Sequence, residues 1–226
     1  MADNSAKIHV TKLTAARRQL AAAVRMFFSG EDELAIHTVA SAAYRLLSDL
    51  KAKRGRDEVA DYYRTAIFYG VRSYRRGKLP KYLANDPEAM DLIREVAEQL
   101  PIRADSKLDD VSVSVSLETA QEFWQKRNAI SNFLKHADRD TKSHIALDQV
   151  DNLQLLMQAV SAYVDLVHDP LEGEGRILGL YFKVVSGEID GMPSEWQDIA
   201  RKLEKLQPDE RLRLCAQLVR EWNSTQ

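Results

Sequence analysis

The sequence predicts an all-α fold: a helical bundle with an antiparallel helical hairpin at its N-terminus and a helical extension at its C-terminus. Three observations lead there. Apolar residues recur at three- and four-residue intervals through most of the 226 positions. Glycine, proline and short polar side chains interrupt that rhythm about once per helix length. Period-two alternation is confined to VSVSVS at 111–116. With no second strand to pair with, that run reads as an extended approach to a helix.

Leu13, Ala16, Leu20, Val24 and Phe27 mark one face of a helix over 13–29 that stops at Gly30. A second helix over 32–53 carries Ile36, Ala40, Ala43, Leu47 and Leu50, and Gly55 follows. The alanines let two helix axes approach closely, so these helices are expected to pack as the hairpin. A third helix, 57–76, ends at Gly77. LPKYLANDP then breaks the pattern before a shorter helix over 87–100 and an irregular loop over 101–110.

Ser116 is placed to cap a helix over 117–136. The polar connection HADRDTKSH leads to a strongly apolar helix over 148–167, with Val150, Leu153, Met157, Val160 and Val164 as its expected buried face. Pro170 and the glycines of LEGEG mark the clearest boundary. It divides a bundle at 1–169 from an extension at 170–226, with helices over 176–186, 195–206 and 209–222. Ser194 and Gln197 have capping-box spacing for the second of these.

Hydrophobic residues make up 45% of the chain and charged residues 29%, enough apolar material for a core that needs neither metal nor disulfide. No cofactor is expected. The net charge of −2, from 32 basic and 34 acidic residues, argues against a surface that binds polyanions everywhere. A nucleic-acid surface would have to be a local patch. Cys215 is the single cysteine and sits among apolar helical positions, so it reads as a buried hydrophobe rather than a nucleophile. No window reaches the roughly 18 apolar residues of a membrane span. MADNSAKIHV also lacks a signal-peptide core, and a cytoplasmic location away from membranes is expected.

Two segments carry candidate chemistry. HADRDTKSH, at 136–144, places His136 and His144 among Lys135, Asp138, Arg139, Asp140 and Lys142 in a connection between two long helices. Histidine exchanges protons near neutral pH, and a guanidinium neutralises phosphate, so together they suit phosphodiester cleavage without a metal. The same residues also fit a solvated loop whose Lys135 and His136 complement a helix dipole. The second segment is DYYRTAIFYGVRSYRRGKLPKY, at 61–82. Its Arg72, Tyr74, Arg75, Arg76 and Lys78 combine cations for phosphates with rings for bases, as single-stranded RNA binding requires. Tyrosines filling a bundle interface would produce the same pattern.

Other chemistries find less footing. Glu33 with His37, and Asp165 with His168, are too few ligand pairs for a di-iron bundle. His37, beside Ala40 and Tyr44, reads as a hydrogen-bonded, half-buried side chain. No phosphate loop, dinucleotide fingerprint or nucleophile elbow occurs.

The alanine-rich first pair of helices, followed by a helix ending in NFLKHAD, resembles the HEPN superfamily over about residues 13–169. Many of its members are ribonucleases or toxin and defence components. The superfamily signature is an arginine followed by a polar residue, then a histidine after a gap of four to six positions. Arg139 to His144 fits it, with Asp140 in the polar slot. The resemblance implies Arg139 as the phosphate-steadying residue, His144 as the proton-transfer residue, and a homodimer. Arg127 and Asn128 with His136 form an alternative pairing. Eight residues separate Arg127 from His136, and nine positions place them half a turn out of phase on an ideal helix. The expectation is an RNA-acting protein whose catalytic form is a metal-independent endoribonuclease of toxin or defence type, with no activity on DNA. The alternative is a non-catalytic helical module for dimerisation or protein interaction.

Overall fold

The computed structural model describes residues 9–79, 81–103, 105–136, 138, 141–187, 189 and 192–225, and no β-strand occurs among them. The helices are α1 (Lys12–Ser29), α2 (Glu33–Lys53), α3 (Glu58–Arg75), α4 (Lys81–Ala84), α5 (Pro87–Gln99), α6 (Leu117–Lys135), α7 (Asn152–Val167), α8 (Glu174–Val185), α9 (Ser194–Glu204) and α10 (Pro208–Ser224). Short 3-10 turns sit at Leu108–Asp110 and Leu147–Gln149. None of the described helices is long and apolar enough to cross a membrane.

Helix starts follow capping chemistry. The side chains of Thr11, Asp32, Asp57, Asp86, Ser116 and Asp151 each accept from a backbone N–H of the turn that follows. The stop at Gly30 needs a left-handed residue, and its φ of 68° supplies one at no steric cost. One expected cap does not form. Ser194 is the first helical residue of α9 rather than its cap, and Gln197 donates to the carbonyl of Met192 instead. Pro193 takes the capping position and offers no side-chain acceptor. The reciprocal box lies at α10, where Glu210 accepts from the backbone N–H of Gln207 at 3.0 Å.

The main core is built on α1, α2 and α7. Ala16, Ala23, Ala40, Ala43, Ala159 and Ala162 are all buried, so the three axes approach closely while Leu20, Leu47, Leu155 and Leu156 interdigitate around them. The face of α7 differs from the expected one. Leu155, Leu156, Ala159, Ala162, Tyr163 and Leu166 are buried, whereas Leu153, Met157 and Val160 are only half-buried against the core. Since α7 touches α1, α2 and α8, it is covered over a wide arc, and a single apolar stripe could not show where the centre of that arc lies.

The helices beyond Pro170 add to this same core through Ile177, Leu178, Leu203, Cys215 and Val219. Burial pushes the Cys215 thiol up to about 12, as suits a packed side chain rather than a nucleophile. Glu174 opens α8 and is buried, paired with Arg25 of α1 and accepting from Asn223 of α10 at 3.2 Å. Gly173 precedes it with φ 63°, and a Cβ there would lie 2.8 Å from Cδ1 of Trp222.

A second, smaller core lies under α3 and α5, with Phe68, Val71, Ala97, Ile102 and Val111 buried. The VSVSVS run contributes to it. Val111 is buried and Val113 half-buried, while Ser112 and Ser114 face outward, so the period-two pattern is real but serves an extended lead into α6.

A charged cluster joins the two cores. Lys51, 1% exposed on the last turn of α2, meets Glu58 at 2.5 Å, Asp61 at 3.0 Å and Asp165 at 2.9 Å. Burial alone would lower its pKa, but the surrounding carboxylates, Glu58 foremost, outweigh burial and hold it above the ordinary lysine value. Arg56 and Arg64 both pair with Asp61. Removing one partner of such a cluster strands buried charge, so Lys51→Ala should cost about 3–5 kcal/mol in urea unfolding. The exposed pair of Arg201 with Asp198 is the contrast, and Arg201→Ala should leave the midpoint nearly unchanged. A raised folded-state pKa means the cluster's contribution is complete below the unfolded lysine value of about 10.4 and is lost as pH rises beyond it. Wild-type stability should therefore fall above that pH, and the Lys51→Ala protein should lack that component of the fall.

Candidate functional site

Positions 37, 41, 44, 48 and 51 recur at helical spacing, so α2 carries a polar strip beside its apolar face. Four of these residues, His37, Tyr44, Ser48 and Lys51, are buried. Ser48 donates to the carbonyl of Tyr44 at 2.9 Å, and the Tyr44 hydroxyl donates to Glu58 Oε1 at 2.8 Å. Burial, and then the Glu58 charge, push the Tyr44 phenol far above its ordinary value. The ring of Tyr44 faces the Arg127 guanidinium, 4.9 Å from its centroid. Burial lowers the Arg127 pKa against the opposing influence of Tyr44, Tyr62 and Glu58. Its Nε and one terminal nitrogen are buried and complete no hydrogen bond.

A ring cluster holds α6 in place. Trp124 lies 6.3 Å from Tyr44 and 5.2 Å from Phe123, while Phe123 lies 5.1 Å from Tyr62 of α3. Between α2 and α6 this leaves a cleft of 220 Å³. Arg45, Arg127, Lys135 and His136 line it together with Asn128, Ser131 and Asn132, and among the described residues no carboxylate does. His136, the C-cap of α6 at φ −125°, ψ 58°, lines the same cleft as Arg127. Its N–H still donates to the Asn132 carbonyl at 3.0 Å, so Arg127 and His136 stand at opposite edges of the face that α6 turns to the cleft. His37 lies behind the cleft, 4% exposed. Burial lowers its pKa more than the Asn152 amide raises it, and the charges of Arg127 and Lys135 act in the same direction as burial.

A second cleft of 510 Å³ adjoins the first and shares Arg45, Trp124 and Asn128 with it. Ser48, Asp49, Ala52, Arg56, Asp57 and Glu58 complete its lining.

Of the other residues singled out in the sequence, Arg139 and Asp140 lie outside the described residues. His144 is exposed and lines neither cleft. The basic aromatic segment divides by role. Arg75 closes the end of α5, donating to the carbonyls of Ala97, Leu100 and Ile102. Tyr74 packs on the second core, Tyr62 and Tyr63 belong to the ring cluster, and Arg72 lies over Phe68 at 5.6 Å. Arg76 and Lys78 are exposed. Among the described residues, no group of three or more His, Cys, Asp and Glu is arranged to hold a metal ion. Comparisons with protein-family models, curated proteins and solved structures give no match.

The Glu58–Tyr44–Arg127 chain escaped sequence reading. Its only trace there was the polar strip on α2, at a spacing too regular for a solvated face. Tyr44→Phe keeps the ring under Arg127 but leaves Glu58 with an unanswered acceptor. It should cost about 1–3 kcal/mol by chemical denaturation. Tyr44→Leu also removes the ring face and should cost more. Equal losses for the two would mean that the ring contributes nothing to seating Arg127.

Proposed function

We propose that this chain is an RNA-acting protein of the HEPN-like kind, with α1 and α2 as its antiparallel hairpin and the cleft between α2 and α6 as its phosphate site. In its catalytic form it is a metal-independent endoribonuclease. The observation that carries the reading is the Arg127 guanidinium, seated on Tyr44, in a cleft lined also by Lys135 and His136 and, among the described residues, by no carboxylate. Such an arrangement favours an anion over any other ligand, and a guanidinium matches two phosphate oxygens at once.

The chemistry follows from those groups. Arg127 and Lys135 neutralise the non-bridging oxygens. His136 takes the proton of the RNA 2′-hydroxyl as that oxygen bonds to phosphorus. The bond to the 5′-oxygen breaks, and the imidazolium returns its proton to that oxygen. A 2′,3′-cyclic phosphate and a free 5′-hydroxyl result. DNA lacks the nucleophile and should survive.

Under this reading His136→Ala should lower the rate of RNA cleavage about 10²–10⁴-fold. Arg127→Ala should weaken both binding and turnover, and chelators should change nothing. His144→Ala, with Arg139→Ala and Asp140→Ala, tests the other pairing. A loss confined to those three variants would move the site to the loop after α6. RNA that survives prolonged incubation with the wild-type protein would leave a non-catalytic helical module as the better reading.

Exposed Arg76 and Lys78 are proposed to extend the contact with the RNA backbone. Changing both to Glu should lower affinity and flatten its salt dependence. Arg75 should be left intact in that experiment because of its bonds to the end of α5. The HEPN-like reading also implies a homodimer, and light scattering should give twice the chain mass of 25.7 kDa.

A further inference from the structure

The two clefts meet at Trp124 and Arg45 but differ in charge. Among the described residues the smaller is lined by Arg45, Arg127, Lys135 and His136 without a carboxylate, whereas the larger sets Asp49, Asp57 and Glu58 beside Arg45 and Arg56. A nucleotide has the same polarity, with an anionic phosphate at one end and a base edge bearing N–H donors at the other. Resting on the phosphate reading above, we propose that the larger cleft is a base subsite and that it selects guanine.

The selection follows from what a carboxylate can do. It only accepts hydrogen bonds, and it accepts two parallel ones best. Guanine presents N1–H and the N2 amino group side by side on its Watson–Crick edge. Adenine and cytosine present one amino group beside an acceptor nitrogen. Uracil presents one N–H between two carbonyl oxygens, which repel a carboxylate on both sides.

The three carboxylates are not equally available. Glu58 binds Tyr44 through one oxygen and pairs with Lys51 through the other. Asp57 caps α3, accepting from Val59 and Ala60. Asp49 is exposed and, among the described residues, is held by Arg45 alone, at 3.3 Å on the preceding turn. Arg45 lines both clefts. A guanine nucleotide would divide that exposed pair, its base taking Asp49 and its phosphate taking Arg45. Trp124, fixed edge-on by Phe123 at 5.2 Å, stands at the junction where a base would stack. The larger cleft, at 510 Å³, has room for a purine.

Calorimetric titration of the full chain with inorganic phosphate and with the 3′-monophosphates of guanosine, adenosine, cytidine and uridine tests this. The guanosine nucleotide should bind tightest, at least about tenfold tighter than the uridine nucleotide. Asp49→Asn, a surface change that does not endanger folding, should shrink that preference to about threefold or less. Four nucleotides of equal affinity, with phosphate still bound, would overturn guanine selection and leave the phosphate site standing. A guanine preference that survives in Asp49→Asn would overturn the role of Asp49. No binding of phosphate or any nucleotide would overturn both readings.

Discussion

Lys51 carries a positive charge to a position 1% exposed, and the geometry around it follows from the need to neutralise that charge. Its partners arrive from two directions, Glu58 and Asp61 from the first turns of α3 and Asp165 from the last turns of α7. The free energy of moving one cation out of water is recovered only if all these elements keep their places. Neighbouring groups strengthen the junction. Arg54 donates to the carbonyl of Leu166 at 2.6 Å, closing the end of α7, and Arg56 reaches the carbonyl of Asp165. Glu58 turns its other oxygen to Tyr44, and Tyr44 carries Arg127. The cleft between α2 and α6 is thus three side chains away from a buried lysine on the opposite side of the junction.

The all-α class was legible because it rests on periodicity and punctuation, which are local. Ser116 caps α6 where the sequence placed it, and Gly30 stops α1. Legibility failed where a residue answers to two neighbours. The buried face of α7 is set by α1, α2 and α8 together, so Leu155 and Leu156 are buried while the equally apolar Leu153 is not. Ser194 and Gln197 had the right spacing for a box, yet Pro193 and the carbonyl of Met192 decide that turn.

The candidate site shows the same limit. Helix phase separated Arg127 from His136, yet the cleft spans a wide arc of α6 and takes in both. Arg75 looked like a nucleic-acid contact because its neighbours are basic and aromatic. Its actual partners, the carbonyls of Ala97, Leu100 and Ile102, lie more than twenty residues downstream on α5 and the loop after it, and no local pattern announces them. The buried polar strip of α2 was visible as residue types. Its meaning depended on α3 and α6 lying across it.

The division into two cores has a consequence for motion. Beneath α3 and α5 five residues are buried, against more than two dozen in the main core, so the smaller layer has little apolar area to resist local opening. Its hinge would fall at Gly55 to Asp57, next to Glu58 and Asp61. A layer that swings there takes two carboxylates away from Lys51 and one wall away from the larger cleft. The cost of that movement is electrostatic as well as apolar, since Tyr62 and Tyr63 of α3 also leave Phe123, and its electrostatic part diminishes when something else nearby stabilises the freed charges. In such a protein, ionic strength would govern how often the groove is open, not only how strongly it attracts an anion.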